Sequence, residues 1–152
     1  MAKGKPITQL VPDVRKALEE ALEVTAGEIT EQLKIEGPYW TGFFESLWQV
    51  NAGKESVKPN IKDPSTKKTK QPTRDYTPVE VPYSPNLGGY TIGNRANYRL
   101  YAMDLLPSPT GRGAYPTANL TAQKNWFDLY VNAKMPTTIE KTFTSVFRRY
   151  TK

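Results

Sequence analysis

The sequence predicts an α+β fold, with a long N-terminal helix and C-terminal helices packed on a small antiparallel β-sheet, plus a long extended arm or hairpin insert. Three observations predict it. Apolar residues between Leu10 and Leu33 recur at three- and four-residue steps. Two strand-like runs, 47–51 and 90–94, flank a stretch rich in proline and lysine. A second helical pattern closes the chain. Helices and strands that occupy separate parts of a chain favour α+β over an alternating βαβ plan.

Residues 1–9 read as a flexible basic arm. From 10 to 35, Leu10, Val14, Ala17, Leu18, Ala21, Leu22, Thr25, Ile29 and Leu33 form one stripe of an amphipathic helix. Pro12 is expected in the first turn, where a missing N–H is tolerated, and Gly37-Pro38 is a stop. Gly27 within it costs up to about 1 kcal/mol relative to alanine, which points to a bend or a close contact there.

Residues 43–47 read as a short helical entry into the first strand. The insert, 53–89, holds six of the chain's thirteen prolines and the cluster Lys67, Lys68 and Lys70. Proline at this density does not continue a helix or a central strand. The segment is expected to order against neighbouring subunits, with 79–81 as an edge strand. After Gly88-Gly89 come a strand to Asn94 and a helix from Ala96 to Leu105. Arg95 and Arg99, four apart, are expected to share one helical face. Asn119 reads as the N-cap of a helix that Met135-Pro136 breaks, and 138–150 as a last helix.

At 152 residues the chain suffices for a single domain with a sizeable core. No apolar run approaches the roughly 20 residues of a membrane span, and no apolar segment follows the first lysines as in a secretory signal. Cysteine and histidine are both absent. That removes thiol nucleophiles, disulfides, the commonest general base and the commonest transition-metal ligand. No catalytic, metal or cofactor residue is therefore expected. An enzyme built on lysine or paired carboxylates is the third reading.

The net charge of +6 is unevenly spread. Residues 10–36 carry seven acids against three bases, and residues 53–75 the reverse. Such asymmetry suits head-to-tail contacts between copies, or two solvated faces of opposite bias. Tyr39, Trp40, Phe43 and Phe44 are more aromatic surface than a small sheet easily buries. They join Arg95, Arg99, Lys67, Lys68 and Lys70 as candidate subunit-interface residues. Trp48 and Trp126 are expected to pack the strand on the C-terminal helix. The glycine pairs are not phosphate loops, because no Gly-Lys-Ser/Thr follows them. The lysines lack the interleaved aromatics of a single-strand binding platform.

Thr41-Gly42, Leu47-Trp48, Gly93-Asn94, Asn97-Tyr98, Asp104, Gly111 to Gly113 and the helix around Trp126 occur in a distinctive order. Over about residues 10–131 this order resembles the neck and tail-completion (head–tail joining) family of tailed double-stranded DNA phages. Two steps depart from the family pattern. Tyr98-Arg99 and then Tyr101-Ala102 stand where the family has Tyr-Ala directly after the turn, and Asp104-Leu105 stands for its acid–glycine pair. The resemblance implies a virion structural protein that forms a homo-oligomeric ring. Its expected neighbours are other neck, portal-adaptor or tail proteins, with genomic double-stranded DNA passing through the channel. The expected location is the virion, and the host cytoplasm during assembly. A tail terminator capping the tail tube is the alternative within this class, and a basic DNA-binding accessory protein the alternative outside it.

Overall fold

A computed structural model describes residues 7–38, 43–62, 77–104 and 125–151. Helix α1 (Ile7–Glu36) is a rod of 30 residues, about 45 Å long. It starts earlier than the apolar spacing predicts, so Pro12 falls in the second turn rather than the first. There it deprives a first-turn carbonyl of its helical donor. Residues 11–16 are largely exposed, and burial begins at Ala17 and Ala21. The stop falls where Gly37-Pro38 places it. The Gly37 N–H closes on the Leu33 carbonyl at 3.1 Å. A Cβ on Gly37 would stand 3.0 Å from the Trp126 ring, so glycine permits that indole to reach the helix end.

Helix α2 (Phe43–Ser46) leads into strand β1 (Trp48–Ala52), which pairs antiparallel with β2 (Tyr90–Asn94). The register runs from Trp48 opposite Asn94 to Ala52 opposite Tyr90. Trp48, Val50, Ile92 and Asn94 therefore share one face. A two-stranded sheet is marginal alone. This one is held by a core of Ile29, Leu33, Phe44, Trp48, Ala96, Trp126 and Tyr130, which joins α1, the sheet and the last helices. The expected pairing of Trp48 and Trp126 within one core is met.

Helix α3 (Arg99–Asp104) starts three residues later than the Ala96 expected from sequence, and the expected end at Leu105 lies outside the described residues. Ala96 instead forms a parallel bridge with Ile61, which keeps residues 95–97 out of the helix. The C-terminal rod consists of α4 (Trp126–Leu129), a π turn (Tyr130–Lys134) and α5 (Met135–Tyr150). The expected break at Met135-Pro136 does not occur. The Met135 N–H instead bonds the Tyr130 carbonyl, five residues back. This wider turn sits where Pro136 has no N–H to give, and the rod continues through it. The proposed N-cap Asn119 lies outside the described residues.

The rod runs antiparallel to α1. Lys134 Nζ meets Glu36 Oε1 at 2.5 Å, and Thr138 Oγ1 donates to Gln32 Oε1 at 2.8 Å. At the far end Tyr150 OH donates to Glu20 Oε2 at 2.5 Å, and Arg149 pairs with Glu20 Oε1 at 2.8 Å. Equal steps down one helix thus match equal steps up the other. Val146, 1% exposed, fills the space between them.

The described ends of the insert fold back on the domain. Val57 covers the sheet at Gly93, and Ile61 donates to the Arg95 carbonyl at 2.9 Å. The expected edge strand at 79–81 is absent. The Val79 N–H donates to Glu31 Oε1 at 2.7 Å, Lys34 Nζ donates to the Thr77 carbonyl at 2.7 Å, and Val81 lies against Gly27. Val81 packs on α1 at Gly27, but a Cβ there would meet its methyl at 3.5 Å, an ordinary contact, so the close approach expected at Gly27 does not require glycine. A left-handed turn follows, with Asn86 at φ 57° and Leu87 at φ 55°. Arg15 holds it by donating to Asn86 Oδ1 at 2.7 Å.

Candidate interaction surface

Of the nine residues expected at a subunit interface, Tyr39, Trp40, Lys67, Lys68 and Lys70 lie outside the described residues. Phe44 lies inside the core, with its ring 5.9 Å from that of Trp48 and 6.1 Å from that of Tyr98. Its area is already buried within its own chain. Phe43, next to it, is half-buried.

Arg95 and Arg99 do not share a helical face, because α3 begins only at Arg99. Arg95 is fixed through its backbone, its N–H on the Leu47 carbonyl and its own carbonyl on the Ile61 N–H. Arg99 braces the insert. Its Nη1 donates to the Val57 carbonyl at 2.9 Å and to the Asn94 carbonyl at 3.3 Å.

Both bonds of Arg99 converge on the corner where β2 ends. A Cβ on Gly93 would stand 2.7 Å from Val57 Cβ, closer than such atoms approach, so only glycine fits beneath the returning insert. Asn94 is fully buried. Its Nδ2 donates to the Phe44 carbonyl at 2.8 Å, and its Oδ1 accepts from the Ala96 N–H at 2.9 Å. The pair is the end of the strand, as the sequence predicts, and ties α2, β2 and the approach to α3 together.

A second polar cluster was not foreseen. Gln32 Oε1 accepts from both Tyr130 OH, at 2.9 Å, and Thr138 Oγ1. Tyr130 is 1% exposed. Burial disfavours its phenolate, and the nearby Glu36 and Glu28 add repulsion, pushing the phenol up to about 12. A lone tyrosine on an apolar stripe gives no sequence signal that its hydroxyl will find a glutamine 98 residues away.

Charge on α1 is largely matched within the chain. Glu19 pairs with Arg15, Glu20 with Arg149, Glu31 with Lys34 and Glu36 with Lys134. That leaves Glu23 and Glu28 as exposed acids on this helix. The cations of the rod divide by pairing. Lys134 and Arg149, at its two ends, reach α1 acids, whereas Lys141 and Arg148 share an outward groove with Arg149, Thr137, Thr144 and Ser145 and pair with no acid among the described residues. That outward stripe was legible in the spacing, opposite Phe143 and Val146, but was not singled out.

Among the described residues no helix is long and apolar enough to cross a membrane. No protein-family model, curated protein or solved structure matches the chain.

Proposed function

We propose that this chain is a virion structural protein of a tailed double-stranded DNA phage. In this reading it is a neck or tail-completion component whose copies close into a ring at the head–tail joint. It acts through contacts rather than catalysis. Its partners are other copies of itself, the adjoining neck, portal-adaptor or tail proteins, and the genome threading the opening. Its place is the virion, reached by assembly in the host cytoplasm.

The observation that carries the reading is the Gly93-Asn94 corner. The Gly-Asn step is one of the pieces on which the family resemblance rests. In this fold it locks the short helix, the sheet and the insert into one rigid unit, with each polar atom of Asn94 engaged by the backbone. A motif occupied with holding architecture suits a protein whose product is a shaped surface. The order long helix, strand, insert, strand, short helix and closing helix adds support, and so does a sequence without histidine or cysteine.

A tail terminator is the near alternative, being another ring-forming α+β protein. The outward cations of α5 favour a second reading, a DNA-binding accessory protein that acts as a monomer. Negative-stain electron microscopy of the concentrated protein separates them. Closed rings with a central opening support the neck or terminator reading. Single globules at every concentration reject it.

A further inference from the structure

The outer face of α5 carries Thr137, Lys141, Thr144, Ser145 and Arg148 at helical steps, lining one shallow groove together with Glu140 and Arg149. Lys141 and Arg148 lie seven residues apart, about 10.5 Å along the helix. Both are exposed, and neither has an ion-pair partner among the described residues. The neighbouring cations Lys134 and Arg149 are neutralised by Glu36 and Glu20. Of the three cations in this groove, Arg149 is thus already paired with Glu20, and Lys141 and Arg148 keep their charge beside the single carboxylate Glu140. The helix dipole accounts for a cation in the last turn such as Arg148, but not for Lys141 two turns earlier. Hydroxyls interleaved with Lys and Arg are the side chains that contact nucleic-acid phosphates. No aromatic side chain lies on this face, so stacking on separated bases is not its chemistry.

We propose that this face of α5 contacts the phosphate backbone of duplex DNA without reading its sequence. The inference rests on the ring reading above, for which it names the surface turned to the genome. Each cation contributes one phosphate contact, and the hydroxyls fix the rod against the strand.

The test uses the full-length protein and a short labelled duplex, with binding followed by fluorescence anisotropy over a range of salt. The double variant Lys141→Gln/Arg148→Gln is compared with the charge-matched control Lys54→Gln/Lys58→Gln, whose lysines are exposed beyond β1. The slope of log affinity against log salt is expected to become shallower by about 2 in the α5 variant and by less in the control. No duplex binding by the unmodified protein, an unchanged slope, or an equal loss in the control would overturn the proposal. Light scattering on the same samples separates the two claims. Rings whose DNA binding ignores the α5 variant reject the face and keep the ring. A monomer that binds DNA through this face rejects the ring and keeps the face. Loss of the ring itself in the α5 variant makes the face a subunit contact and overturns the proposal.

Discussion

At Gly93 the Val57 side chain stands where a Cβ would be, and the obstructing atom is attached directly to the backbone. It cannot rotate away. Gly93→Ala is therefore expected to lower stability by about 1–3 kcal/mol, the usual range for overpacking. Thermal melting of Gly93→Ala, Val57→Gly and the double variant checks this, and the double variant should lose less than the two single losses combined. Tyr130 supplies a pH prediction. Its folded phenol ionises near 12, above its unfolded value of about 10, so the neutral form is favoured by folding. Its contribution is complete below about pH 10 and is lost as pH rises towards 12. Urea unfolding across that range should decline less steeply for Tyr130→Phe than for the unmodified protein. The Gly-Asn pair was legible in the sequence as the end of a strand. Its burial was not, because Val57 and Phe44 reach it from 36 and 50 residues away, one from within the insert and one from before it.

The C-terminal rod shows why local rules misplace an element boundary. Proline rules end a helix at Met135, but Tyr130 before the break and Thr138 after it both bond Gln32. One extra residue in the π turn lets both faces meet α1 while giving Pro136 room. Deleting Ala133 should convert the turn to α-helix and bring the proline ring against the preceding turn, at about 3 kcal/mol. Adding Pro136→Ala to the deletion should recover most of that loss, measured by denaturant unfolding. A double variant as unstable as the deletion alone would mean that the π turn serves something other than the proline. The helices at both ends and the two strands were legible from periodicity. The placement of Val79 and Val81 was not, because valines alternating with the exposed Glu80 have the same pattern whether they face a helix or lie in an edge strand. What distinguishes them is the Glu31 carboxylate that accepts the Val79 N–H.

At the scale of the molecule, the acidic run that suggested head-to-tail contacts is engaged mostly in joining α1 to the rod and to its own turns. The exposed pairs among them, to Arg15, Lys134 and Arg149, contribute about 0–1 kcal/mol each, so the two that reach the rod set the pairing of the helices more than they hold the fold. Residues 11–16 of α1 lie beyond the end of the rod. They expose Val11 and Val14 near a left-handed turn that also exposes Tyr83 and Leu87. Opposite charge on facing copies thus contributes less to the ring reading than the sequence suggested, and shape contributes more. The most direct test is the mass of the purified protein by light scattering at two concentrations tenfold apart. The account predicts one discrete oligomer whose mass is the same at both. A monomer at both concentrations would contradict it.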